Sequence, residues 1–537
     1  MRSCLMLVLA APAMWAQSGA QVVTFRSSVD NSEQPYALYV PRGFDGAKQY
    51  PLVISLHSED TNHRINLRQV FGLSIRSGES NPEDLRMFPV ARDPGFIVAS
   101  PLARGIMDYR GIAEHDVYDV LADVERHFPV DPDRVYLTGV SMGGAGALRL
   151  ALTRPDVWAG VAAVCPAPLT GLDDLAPNLV NVPVRLFHGE QDPIVPAATS
   201  RLWQRRLVDA GVAAEYIEYP GLRHNAWDLA YRGGAVFEWF DQFRRSRFPQ
   251  HVRLVAEAYR YASAYWARID GLTPGTPVSV DAKRNGAAEV SVETRNVDGF
   301  TLTLDRPAGA VTVDGAALRV RPASPSPSFM KAAGKWRAGR FQPTGKRPGL
   351  EGPIAEAVGG RQIYVYGSGG ARTEFELEAR KRIANAAASW SNSRARLPLN
   401  WPVKADTAVT AEDLDSADVV LFGNSETNSV IARFVPRLPI ALNAGAADYG
   451  LLFIAPIGKH YALVSSGLPW WTGADDARRG GPANLPEQYR LLSTFGDYIL
   501  FKGSLANVVA EGRFDSNWKV PAGEAAKMLA TGTVTLH

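Results

Sequence analysis

"VYLTGVSMGGAGALRLAL", Val135 to Leu152, sets one serine between two glycines and runs from an apolar stretch into a series of small residues. The first half reads as a buried strand and the second as a helix, so Ser141 falls on the turn between them. Such a turn is either plain architecture or the seat of a nucleophile. Glycines at 139 and 143 remove the side chains that would collide beneath it. The start of the helix aims backbone N–H groups and the positive end of its dipole at any negative charge developing there. The G-x-S-x-G pattern alone does not separate the two readings. The downstream residues do.

A serine nucleophile of this kind needs an acid and then a histidine, each on a loop leaving a later strand. The strand-like "VRLFHGE" ends in "QDPIVP", which leaves Asp192 on a loop at the strand's carboxyl end. After the next strand, "AEYIEYPG", comes "LRHNAW", with His224 on the following loop. Parallel α/β sheets collect their chemistry at this edge. Glu190 and His188 are rivals for the two roles but sit closer to their strand. Asp173 and Asp174 lack a strand immediately before them. His57 reads as a core or supporting residue, and His63, His115, His127 and His251 read as surface positions. No cluster of His, Cys or carboxylates has metal-ligand spacing, so neither metal nor cofactor is expected.

The blocks "TGVSMGG", "FHGEQDPIVP" and "YPGLRHNAW" resemble the serine, acid and histidine segments of the α/β-hydrolase superfamily. Within it the layout is similar to secreted esterases of the polyhydroxybutyrate-depolymerase and feruloyl-esterase kind, and to the catalytic domain of prolyl oligopeptidases. The likeness covers residues 22–248. It implies Ser141 as nucleophile, His224 as general base and then acid, and Asp192 as the carboxylate that orients it. The Met142 N–H is the expected oxyanion donor. Such families usually place His-Gly after the strand read here as "PLVISLH", whereas this chain has His57-Ser58. Serine resists positive φ, which leaves Ser58 or Glu59 as the second donor.

Strand and helix patterns alternate from residue 21 to 250, the expected α/β-hydrolase domain: a mostly parallel sheet with helices on both faces. In "AEHDVYDVLADVERHF", Val117, Val120, Leu121 and Val124 recur at helical spacing. The period then falls to two, predicting a small antiparallel β module over 251–321. "PASPSPS" opens an expected linker at 322–350, and 351–537 returns to α/β character as a C-terminal accessory domain. Its "YGSGGA" at 366–371 has the composition of a phosphate cradle but reads first as a structural turn. Trp470-Trp471 reads first as core, although such pairs also stack sugars.

Composition narrows the function classes. The 537 residues carry a net charge of +2 with the basic residues spread out, which gives no footprint for nucleic acid. Arg2, the apolar "CLMLVLAAPAMWA" and the polar "QSGAQ" read as a signal peptide over 1–20, so an exported protein with no membrane span is expected. Cys4 falls in that leader and Cys165 in an apolar stretch, an inert buried thiol. The expectation is therefore a serine hydrolase acting on a small-molecule or polymer-linked acyl ester. The alternatives are a serine peptidase of the prolyl-oligopeptidase kind and a carbohydrate- or partner-binding protein on a hydrolase scaffold.

Overall fold

In the computed structural model the described residues are 18–73, 88, 90, 92–286, 289–320, 325–391, 399–477 and 485–537. Residues 1–17 of the expected leader lie outside them, as do the pocket-shaping residues expected in "RSGESNPEDLRMFP", 76–89, apart from Phe88. No helix among the described residues is long and apolar enough to cross a membrane.

Eight strands form the first sheet: β1 (Gly19–Arg26), β2 (Glu33–Val40), β3 (Tyr50–Leu56), β4 (Ile97–Pro101), β5 (Val130–Val140), β6 (Gly160–Val164), β7 (Val184–Gly189) and β8 (Ala214–Tyr219). Their order is β1-β2-β4-β3-β5-β6-β7-β8, antiparallel at β1, β2 and β4 and parallel from β4 onward. The central strands are apolar on both faces because helices cover both. One of them, α1 (Ile112–His127), presents the expected stripe, with Val117, Val120 and Val124 fully buried. Another, α2 (Met142–Thr153), follows Ser141 directly. Strand β5 begins earlier than the "FPVDPDR" turn suggests. Its pairing with β3 skips from Tyr50↔Val130 to Leu52↔Val135, so the proline-bearing segment bulges out of the ladder.

The β4–α1 loop lies at the carboxyl edge of the sheet and holds four non-glycine residues at positive φ: Ala103, Arg104, Asp108 and Tyr109. Arg104 fixes it. Its buried guanidinium donates to Asp116 Oδ2 at 2.6 Å, Asp30 Oδ2 at 2.7 Å and Ser27 Oγ at 2.8 Å. That clamp ties the loop to the first turn of the sheet and to α1.

Residues 251–338 form a sandwich of two five-stranded sheets around a separate core that includes Val252, Trp266, Val280, Val292, Phe300 and Phe329. Two findings depart from expectation. Glu289–Val292 pairs with Ala310–Val313 in parallel within an otherwise antiparallel module. Moreover, the stretch expected as a linker supplies strands Ser328–Ala332 and Lys335–Ala338. Ala333 and Gly334 make their hairpin turn, both at positive φ. Only Phe329 and Trp336 are buried there among lysines and arginines, too sparse a pattern to read as strand.

The C-terminal unit is a seven-stranded sheet. Strands Val403–Ala405, Gln362–Tyr366, Asp418–Phe422 and His460–Gly467 run parallel, and three antiparallel strands follow. Its apolar core is continuous with that of the first sheet. Trp470 is fully buried and Trp471 meets it edge-on. At the glycine-rich exit the Arg380 guanidinium donates to the Gly367 and Gly369 carbonyls at 3.1 and 2.7 Å and pairs with Glu376. The guanidinium that reaches that turn is thus held by the protein itself.

Removing Arg104 leaves Asp116 fully buried and facing Asp30 without a cation. Arg104→Ala should destabilise the first unit by about 3–5 kcal/mol, seen as a lower melting temperature by scanning calorimetry. An unchanged melting temperature would contradict the clamp.

Candidate active site

Ser141 ends β5 at φ 56° and ψ −113°, a conformation that L-residues occupy only when their surroundings hold them there. The turn is gripped by hydrogen bonds. Ser141 N–H donates to the Val164 carbonyl at 2.9 Å, and its own carbonyl accepts from Ala145 and Ala167 at 3.0 and 3.1 Å. The flanking glycines are sterically required. A Cβ at Gly139 would overlap the Gly143 carbonyl, and one at Gly143 would overlap the Leu56 carbonyl and crowd that of His57 at 2.7 Å.

The fold brings the three expected residues together. His224 Nε2 lies 3.1 Å from Ser141 Oγ, and His224 Nδ1 lies 2.6 Å from Asp192 Oδ2. Because an ionised carboxylate only accepts, Nδ1 carries the proton, and the Nε2 lone pair faces the serine hydroxyl. The Asp192 side chain is buried, and its Oδ1 accepts the Ile194 and Val195 N–H groups at 2.9 Å each. Burial alone would raise the Asp192 carboxyl. The hydrogen bonds from His224 and these two N–H groups outweigh it and hold the pKa below the usual carboxylate range. Trp227 meets the His224 ring edge-on at 5.6 Å.

The rivals are placed elsewhere. Glu190 accepts the Gly221 N–H at 2.9 Å on the exposed side of the same loop. His188 is fully buried against Asp192, its Nε2 at 2.9 Å from the Val195 carbonyl and 3.2 Å from Asp192 Oδ2. Ser200 Oγ, 2.7 Å from Nδ1, completes a neutral, burial-depressed histidine that packs behind the acid. This second histidine on Asp192 is visible only once the loop is folded. His57 braces the β3 loop through the Ser58 and Leu102 carbonyls. His63 is buried rather than on the surface.

The Met142 N–H opens α2, where a helix leaves its first N–H groups without helical partners. Ser58 differs: its N–H is drawn to Thr61 Oγ1 at 3.2 Å. The Cys165 thiol donates to the His224 carbonyl at 3.4 Å and lies within 4.8 Å of His224 and Asp192 side-chain atoms. Burial pushes its thiol far up, which disfavours the thiolate that metal binding requires.

The Phospholipase/Carboxylesterase family profile matches residues 113–231, a span that holds all three residues. Acyl-protein thioesterase 1 of Gibberella zeae is 36% identical over 100 residues, 18% of this chain and 43% of its own length. Poly(3-hydroxyoctanoate) depolymerase of Pseudomonas fluorescens is 31% identical over 170 residues, 28% of this chain and 60% of its own length. An uncharacterized secreted protein of Arthroderma benhamiae is 24% identical over 385 residues, 65% of this chain and 40% of its own. The chain thus spans less than two thirds of each of these relatives. With the sheet order described above, the first unit has the α/β-hydrolase fold.

Gly143→Ala forces a methyl group against the Leu56 and His57 carbonyls at the end of β3, an overpacking expected to cost about 1–3 kcal/mol. Chemical denaturation of the variant should show a lower midpoint, and a midpoint equal to wild type would contradict the close approach.

Proposed function

We propose that this α/β-hydrolase is an exported serine esterase that cleaves a carboxylic ester through an acyl-enzyme. The observation that carries the reading is the run of two hydrogen bonds, Ser141 to His224 to Asp192, ending on a strained turn at a helix N-terminus. Ser141 Oγ attacks the ester carbonyl carbon while His224 Nε2 takes its proton. The oxyanion that forms is met by the Met142 N–H and by a second donor from the Ser58–Glu59 turn, where Thr61 must release the Ser58 N–H. His224 then protonates the departing alkoxide. Water, deprotonated by the same ring, releases the acid and restores the serine. Asp192 keeps the ring in its tautomer and stabilises the imidazolium. These groups all fall within 21–250, with the later units as accessory parts. An ester rather than a peptide is favoured by the relatives' names, a thioesterase and a depolymerase. Export is favoured by the leader-like N-terminus.

Purified protein should hydrolyse at least one of a panel of p-nitrophenyl acyl and feruloyl esters in preference to peptide amides. Turnover confined to amides would replace the ester reading. Ser141→Ala should cut kcat by about 10⁶ with the fold intact; more than a few per cent residual activity would remove Ser141 from the role.

Asp192→Asn presents a donor where His224 needs an acceptor and should cost about 10⁴ in kcat. His224→Ala should cost at least as much. The double variant should be little worse than the worse single one, because the two side chains act as a unit. Effects that multiply would contradict the pairing.

A further inference from the structure

A cavity of about 540 Å³ lies where the C-terminal unit closes over the β4–α1 loop and the flank of α2. Three arginines and three acids face it, and they are not evenly matched. Arg260 is committed: it pairs with Glu356 at 3.2 Å and with Glu114 at 3.5 Å, and the Tyr261 hydroxyl donates to Glu114 at 2.8 Å. Arg149 and Arg110 are not. Among the described residues neither guanidinium has a hydrogen bond or ion pair, although both act on Asp108 across the cavity. Arg149 is partly buried, and desolvation together with the neighbouring Arg110 pulls its pKa down to about 10. A desolvated, unpaired cation is costly, and proteins keep one where an anion is to be bound.

We propose that this interface cavity binds a small organic carboxylate, with Arg149 and Arg110 as its cationic arms. The charge balance selects the class. Arg149, Arg110 and Arg260 against Asp108, Glu114 and Glu356 make the lining neutral in formal charge, so a bound monoanion leaves the site one unit negative and a phosphate dianion two, which favours the monoanion. A guanidinium also matches a carboxylate in two parallel hydrogen bonds. Val358, Leu485 and Tyr489 from the C-terminal unit and Met107 from the loop give the cavity apolar lining beside Ser493 and Thr494, against which a hydrocarbon tail on the carboxylate packs. Arg149 stands eight residues beyond Ser141 on α2, on the order of 12 Å along the helix at 1.5 Å per residue. The carboxylate belongs either to the far end of the ester undergoing hydrolysis or to a separate molecule.

Titration calorimetry of the full chain with sodium hexanoate and with inorganic phosphate tests the site without relying on hydrolysis. Hexanoate should bind saturably, at least tenfold more weakly to Arg149→Gln and to Arg110→Gln, with part of the affinity kept in Arg149→Lys. Phosphate should show no saturable binding. Absence of hexanoate binding, equal affinity in the glutamine variants at unchanged melting temperature, or equally tight phosphate binding would each overturn the proposal. A kinetic comparison, which rests on the esterase reading, then separates the sources. If the substrate supplies the carboxylate, Arg149→Gln lowers kcat/KM for mono-p-nitrophenyl suberate at least tenfold more than for p-nitrophenyl butyrate. If a free molecule supplies it, the two esters respond alike and hexanoate alters butyrate-ester turnover only when Arg149 is present. Failure to hydrolyse either ester would count against the esterase reading while leaving the calorimetric result standing.

Discussion

The backbone at Ser141 is the constraint around which the first unit is arranged. Holding a serine at φ 56° and ψ −113° costs on the order of 1–3 kcal/mol, and the turn persists because its surroundings leave it no other shape. From below, the carbonyls of Leu56 and His57 press against Gly143, with no room for a side chain. From the side, strand β6 accepts the Ser141 N–H, and the loop after it donates back to the Ser141 carbonyl. The parallel order β3-β5-β6 is therefore a condition of the site: it puts one neighbour's carbonyl edge beneath the turn and the other's beside it.

The same edge receives the other two side chains. Strand β7 delivers Asp192 two residues after Glu190, where two backbone N–H groups and His188 hold it as an ionised acceptor. The loop after β8 swings His224 back across it. The β4–α1 loop, kept in its unusual conformation by the Arg104 clamp, forms the wall between this edge and the C-terminal unit. That unit shares its apolar core with the first unit, while the β-sandwich keeps a core of its own. Sandwich and first unit meet through directed contacts, such as Asn178 bonded to both the N–H and the carbonyl of Val255.

Much of this is legible in the sequence for identifiable reasons. Strands such as "PLVISL" and "VRLFHG" are unbroken apolar runs, and α1 repeats valines at helical spacing. The serine, acid and histidine can be picked out because each follows such a strand. Strand β6, "GVAAV", gives no comparable signal: alanine and glycine fit there only because Gly144 and α2 pack closely on its end. The hairpin at 328–338 is hidden because two buried aromatics carry it among charged residues. The turn of the Ser58 N–H toward Thr61, and the second histidine on Asp192, depend on side-chain directions that spacing does not encode.

The central claim is that Ser141 forms a covalent acyl intermediate. Rapid mixing with a p-nitrophenyl ester, acid quench and tryptic digestion followed by mass spectrometry tests it directly, since cleavage after Arg134 and Arg149 isolates the peptide Val135–Arg149. An acyl-enzyme at Ser141 predicts a burst of p-nitrophenolate and the acyl mass increment on that peptide in the wild type and, more slowly, in Asp192→Asn, where acylation and deacylation both lose the oriented base. An acyl group on any other peptide, or turnover with no acylated peptide and no burst in either protein, would contradict it.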